Sequence, residues 1–401
     1  MSYPPVGKPD AIGTRPQPRS RPGALRWLVR EKRAVAGGLA AVLVVASAVV
    51  YFAGTAAGPE SATADNAAGH SVPSTGPEAS AGPVTSSEDA RTAAATPSTD
   101  ASRTVPRTGW IPIDQAAWRA QVEAYEALTI TPVPPGVGNL PEFRADCQHS
   151  HSRPDDPIVA PGLPGASHMH SFFGNRSVNA HTTAEDLLRF TATTCEPAAD
   201  HSSYWIPTLY DSRTGEPVEP TGFRVYYRSL MRDSAGQMPM PNGLRLIAGD
   251  PTRREPTPRG AHGQFYCAHY GPGDIDGIAR SSNGNWPICG GNATLHFILQ
   301  FPDCWDGKHL DSPNHKDHVV FGYADTCPPS HPVKIPALTF DIQYPARGTV
   351  EGYYLSSDPE GRSASSMHGD AFVMWDIATM NRMTKDCILQ RRTCDNYGYL
   401  R

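Results

Sequence analysis

The chain is expected to fold as a mainly β, loop-rich, sandwich-like domain with a few peripheral helices, carried behind a single N-terminal transmembrane helix. Three features lead there. Residues 34–53 form an uncharged apolar run. All eight cysteines lie between Cys147 and Cys394, together with every one of the fifteen histidines except His70. Between them, short β-like runs alternate with connections rich in the chain's 40 prolines and 36 glycines, the pattern of an all-β domain with many turns.

The N-terminal third divides by composition. Residues 34–53, AVAGGLAAVLVVASAVVYFA, are twenty residues long, which at ~1.5 Å each spans roughly the 30 Å hydrocarbon core of a bilayer. Arg26, Arg30, Lys32 and Arg33 precede them, against the single acid Glu31. The positive-inside rule therefore places 1–33 as a cytoplasmic basic tail and everything after the anchor outside. A cleaved signal peptide is the alternative, with small residues at Gly54–Ala57 for the peptidase and a secreted product. Residues 54–108 are mostly Ala, Ser, Thr, Pro and Gly and have too few large apolar side chains to offset ordering entropy. They read as a disordered spacer. The net charge of −5 gives no bias toward nucleic acid.

In the outer domain, 109–401, near-helical spacing of Ile113, Ala116, Trp118, Val122 and Tyr125 predicts a helix over 113–127. Strands are expected at 222–229, 244–248, 294–301, 334–344 and 349–356, and a C-terminal helix at 370–386. Eight cysteines in an exported domain imply up to four disulfides, and eight allow 105 pairings. Short loops favour Cys147–Cys195, Cys267–Cys289, Cys304–Cys327 and Cys387–Cys394.

Three polar clusters are candidates for chemistry. The first, CQHSHSRPDDPIVAPGLPGASHMHSFFGN, holds His149, His151, Asp155, Asp156, His168, His170 and Asn175. On a strand, residues two apart share a face, so His168 and His170 fit a divalent metal ion, with Asp155 or Asp156 adding an oxygen. The second, FPDCWDGKHLDSPNHKDH, crowds Asp306, His315 and His318 around Trp305, an indole for stacking on sugar. Turn chemistry accounts for part of it, since Asp306-Gly307 and Ser312-Pro313-Asn314 are turn sequences. The third is His331 with His368 and Asp370, where Asp370 is read as the N-cap of the C-terminal helix. No Gly-x-Ser-x-Gly, His-Glu-x-x-His or phosphate-cradling loop occurs, which removes the usual support for serine hydrolases, familiar zinc proteases and nucleotide enzymes.

The runs CQHSHSRPDDPIV, PGLPGASHMHSFFGN, SSYWIPTLYD, GLRLIAGD, FPDCWDGKHLDSPNHKDH, CPPSHPVKIP and SSMHGDAFVMWD resemble, in the same order over most of 140–390, the family catalogued as domain of unknown function nineteen-ninety-six. The resemblance implies an exported protein of a family sometimes found beside carbohydrate-binding modules, and names no activity. Position by position it marks His151, Asp155, Asp156, His168, His170, Asn175, Trp305, Asp306, His315, His318, His331, His368 and Asp370.

The leading expectation is an envelope or extracellular enzyme, a hydrolase or lyase, acting on polysaccharide. His168, His170 and Asp156 would hold the metal. His151, Asp155, His315, His318 and His368 would serve as acid/base groups, and Trp305, Asp306 and Asn175 would bind substrate. The rivals are a non-catalytic glycan- or wall-binding module and a purely structural surface protein.

Overall fold

The structure is a computed structural model and describes residues 109–400 apart from 135–137, 256–260, 269–278 and 324. The tail, anchor and spacer segments lie outside the described residues. Among the described residues no helix is long and apolar enough to cross a membrane.

Two antiparallel sheets carry the domain. The first has six strands in the spatial order Gly263–Cys267, Leu295–Gln300, Ala337–Gln343, Gly222–Arg228, Glu142–Cys147, Cys195–Glu196. The second has five, in the order His149–Arg153, His170–Gly174, Ser203–Pro207, His368–Phe372, Arg245–Gly249. In the first sheet the two-residue period is plain. Ala145, Val225, Phe340 and Leu299 form one inward row across four strands, while the neighbouring row sets Asp146 against Arg224 and Arg224 against Asp341 on the other face. Arg224 and Asp146 form an ion pair there.

The inner faces of the two sheets meet in one core, which makes the domain a sandwich. Phe173 of the second sheet stacks on Phe223 of the first at 4.2 Å, and Tyr204 meets Phe340 edge-on at 5.6 Å. The core also closes a polar chain. The Tyr204 hydroxyl donates to Asp200 Oδ2 at 2.7 Å, the Tyr227 hydroxyl lies 2.6 Å from that of Tyr204, and the Trp375 indole N–H donates to Tyr227 at 2.8 Å.

The second sheet differs in one respect. His170–Gly174, Ser203–Pro207 and His368–Phe372 are buried at every residue, because their outer face is covered as well. There Ile158, Phe172, Val178, Leu187, Trp205, Phe372 and Met374 form a smaller core under the 154–190 segment.

The expected strands at 222–229, 244–248 and 294–301 form, whereas 334–344 and 349–356 yield shorter ladders, Ala337–Gln343 and Tyr353–Leu355. The first helix spans Gln115–Ala127, capped by Asp114, whose side chain accepts from the Ala116 and Ala117 amides. The C-terminal helix is corrected. Residues 368–372 are strand, and the helix is Ile377–Met383 with Asp376 as its cap, so Asp370 is no cap. All four short-loop disulfides are present, Cys147–Cys195, Cys267–Cys289, Cys304–Cys327 and Cys387–Cys394, and no described cysteine is free.

Trp305 is fully buried. Its indole N–H donates to the His309 carbonyl at 2.6 Å, and Trp118 of the first helix packs edge-on against it at 5.2 Å. It offers no ring face to a sugar; its place is the joint between helix and sandwich. Truncating a buried Trp costs about 3–5 kcal/mol. Trp305→Ala is accordingly expected to lower the unfolding free energy by that amount, read as a lower denaturant midpoint at unchanged slope, whereas a surface platform would leave the midpoint where it was.

Burial pushes the Asp200 carboxyl up to about 7, against smaller lowering by its Ser202 and Tyr204 hydrogen bonds. A carboxyl raised in the folded state favours the protonated form. Its contribution is therefore fully present below about pH 4 and is lost as pH rises through about 7, a loss on the order of 3–4 kcal/mol. Asp200→Asn removes the titration. Thermal melts should show wild type losing stability between pH 5 and pH 8, with the variant flatter across that window and the more stable of the two at pH 8.

Candidate metal centre

The covered outer face of the second sheet brings residues from all three sequence clusters together. His170 and Phe172 project from one strand, and His368, Asp370 and Phe372 from another. Trp205, on the strand between, is paired with both Phe172 and Asp370. The 154–168 segment folds over this face and contributes Asp156 and His168. Ligand atoms of His168, His170 and His368 lie within 4.8 Å of one another, and so do those of Asp156, His170 and Asp370. Cys147, Cys195 and Asp200 also lie together, but both sulfurs there are spent on a disulfide.

Hydrogen bonds fix how the imidazoles face. His170 Nδ1 donates to the Asp155 carbonyl at 3.0 Å and His368 Nδ1 to the Ser366 carbonyl at 2.9 Å. A carbonyl only accepts, so both Nδ1 atoms carry the proton and both Nε2 atoms present a lone pair. His168 Nε2 lies 3.2 Å from His368 Nε2. Two nitrogens each about 2.1 Å from one ion, at roughly 100° to each other, stand about 3.2 Å apart. His170 Nε2 and Asp370 Oδ2 are both buried without a hydrogen-bond partner, and the Trp205 indole N–H faces the Asp156 carboxyl. Backbone carbonyls holding Nδ1 while Nε2 points inward is the usual support of a metal-ligating histidine.

The electrostatics match. Burial holds His168 at about 4 and, with His168 alongside, His368 at about 3. Burial and the same two neighbours hold His170 well below the ordinary value. These are neutral imidazoles. Burial raises Asp370 well above the carboxylate range, with Asp156 adding to it. Burial also raises Asp156, which the Val159 and Ile158 amides and His315 partly offset. Lone pairs and carboxyls facing one another, with Lys316 the cation that acts on Asp370 and His368, make an arrangement that suits a divalent cation.

Beside this cluster stands a second array. Arg245 donates to Asp311 Oδ2 at 3.3 Å, and His315 Nδ1 bonds Asp311 Oδ1 at 2.9 Å. His315 is held at φ 57°, a left-handed conformation uncommon outside glycine. Lys316 donates to the Gly249 carbonyl at 3.1 Å, next to His368 in the register.

Other marked residues are engaged in holding the frame. His151 stacks on Phe172 at 4.8 Å, donates from Nε2 to the Val178 carbonyl, and has Ser150 Oγ on Nδ1. Asp155 accepts from the Gly165 and Ala180 amides and so positions the loop whose carbonyl holds His170. His318 is buried, with Nε2 donating to the Arg245 carbonyl and Nδ1 on Ser312 Oγ. Asp306 caps its turn through the Lys308 and His309 amides and the His309 ring. Asn175 donates to the Phe190 and His201 carbonyls and accepts from Ser177. His331 bonds the Asp317 carbonyl. With their polar atoms committed in this way, His151, Asp155, His318, Asp306 and Asn175 brace the loops and strands around them. Asp370, read from sequence as a cap, belongs to the centre itself. Its signal was the His368-x-Asp370 spacing, the same two-residue step as His168-x-His170.

Comparison with curated proteins and with solved structures returns no match to either. Residues 156–375, more than half of the chain, match the family described as "Domain of unknown function (DUF1996)", a span that takes in all five residues of the centre. The chain belongs to that family.

Proposed function

We propose that this domain is a single-ion, divalent-metal enzyme acting on polysaccharide outside the cytoplasm. The ion would be held by His168, His170 and His368 and completed by Asp156 or Asp370. The observation that carries this is His170, whose Nδ1 is spent on a carbonyl while its buried Nε2 has no partner. Leaving such a group unpaired costs roughly 1–3 kcal/mol, and a cation turns that cost into a bond. With Nδ1 engaged, His170 has one lone pair to give, so the two overlapping ligand groups describe one ion and not two. Imidazoles with carboxylates suit zinc and other first-row divalent ions. Such an ion supplies an activated water or polarises an oxygen of the substrate.

His315 is the acid/base group of this reading. Asp311 and Arg245 orient its Nδ1, which leaves Nε2 for proton transfer. Four disulfides favour an oxidising compartment, in keeping with the apolar segment 34–53 as membrane anchor or export signal. The substrate class rests on that location and on the family's occurrence beside carbohydrate-binding modules. A second reading, a non-catalytic wall-binding module with a structural ion, is favoured by the burial of His170, His368, Asp156 and Asp370.

Elemental analysis of the purified protein should find about one divalent ion per chain, and His170→Ala should find none. Returning the metal to chelated wild type at 100 times its dissociation constant should stabilise it by about 2.7 kcal/mol, with no such gain in the variant. Against a panel of soluble polysaccharides, wild type should release product that a chelator abolishes. His315→Ala should keep the ion and lose about 10²–10⁴-fold in turnover. Glycan retention without product in wild type selects the binding module, and a metal-free wild type sinks both readings.

A further inference from the structure

We infer that Trp110 is the sugar-stacking platform of this site, so that the glycan chain enters across Trp110 toward His315; the inference rests on the polysaccharide reading above. With Trp305 buried, the site needs another aromatic surface if it takes sugar rings. Among the described tryptophans, Trp205, Trp286, Trp305 and Trp375 are fully buried and Trp118 is packed against the core, whereas Trp110 is 48% exposed.

Its position is fixed by two contacts. The residues that follow it, Ile111–Pro112, pair antiparallel with His309–Asp311, with Ile111 opposite Asp311. The Trp110 ring rests on the His309 imidazole at 4.5 Å between centroids. His309 is itself anchored, its Nδ1 2.6 Å from Asp306 Oδ2. His309 and Asp311 are the two ends of this short strand, whose register against Ile111–Pro112 shifts between them, which places them about 6–7 Å apart. Trp110 lies over the first of them and His315 is bonded to the second. The exposed indole and the oriented imidazole are thus joined through the two ends of one short strand.

The surroundings favour a sugar over an apolar partner. The ring stands on His309, whose Nδ1 is in turn bonded to Asp306, and the Ile111–Ala127 segment that follows it has no other exposed large apolar side chain. One aromatic face bordered by hydrogen-bonding groups suits the apolar face and hydroxyl rim of a pyranose ring. A protein-docking patch would present several apolar residues together.

The test is electrophoresis of the purified protein through native gels, each containing one soluble polysaccharide (β-glucan, xylan, galactomannan or arabinogalactan), for wild type, Trp110→Ala and Trp110→Tyr. Wild type should be retarded by at least one. Trp110→Ala should need about tenfold more of that polysaccharide for the same retardation, and Trp110→Tyr should keep most of the binding. Metal content and melting temperature should not change in either variant, since the ring contributes to neither the ion nor the core. Equal retardation of Trp110→Ala and wild type overturns the platform while leaving the enzyme reading intact. Wild type that no polysaccharide retards overturns the platform and the substrate class together, and the metal content then judges the ion on its own.

Discussion

The structure depends on the outer face of the five-stranded sheet being covered. Once the 154–190 segment lies over it, His170, His368, Asp370 and Trp205 lose access to water, and each polar atom must find a partner inside the protein. The chain meets part of that demand with backbone carbonyls, Asp155 for His170 and Ser366 for His368. Those two bonds decide everything else about the centre. They fix the tautomers, turn both Nε2 atoms inward, and leave the histidines neutral where a charged imidazolium would be costly.

The supporting frame explains why so many residues marked in the sequence hold position and do not face the site. Asp155 closes its loop through two amides, and Asn175 and His151 tie the same region to its neighbours. Asp306, His318 and Ser312 build the 306–318 segment that delivers His315 and Lys316. A metal centre on a sheet face needs its ligands held tightly, and here loops supply two of the five candidate ligands. Side-chain-to-backbone bonds, such as those of Asp155 and Asp156, do for those loops what a ladder does for strands. A motif-level resemblance cannot separate a ligand from the residue that positions it, because both lie in the same short runs.

The same physics divides what could be read from the sequence from what could not. The Gly222–Arg228 strand is covered on one face only, so its alternation was visible. HSFFG, SYWIP and HGDAF are buried on both faces and show no alternation, which is why these three strands of the sheet that carries the centre went unseen, while its edge strand at 244–248 was read. Asp370 was misassigned for the same reason: an acid before an apolar run looks like a cap when the run's period cannot be read. The pairing that short loops favour is the one that forms, although sequence alone could not choose it from the 105. Trp305 was misjudged because an indole's burial is a tertiary property, settled by Trp118 from a distant helix. His168 and His170 were found by spacing alone, and the same step at His368 and Asp370 was available.

The two polar arrays of the sandwich then show why one invites a ligand and the other does not. Between the sheets, the Trp375 indole donates to Tyr227, the Tyr204 and Tyr227 hydroxyls share a hydrogen bond, and Asp200 accepts from Tyr204 and the Ser202 amide. In that chain every donor ends on an acceptor, so it closes on itself and serves stability. On the outer face an imidazole nitrogen and a carboxyl oxygen remain unpaired within one small space. Both are electron-pair donors, flanked by more of the same from His168, His368 and Asp156. It is this surplus of unshared electron pairs, more than the number of histidines, that singles out the outer face as a candidate metal centre.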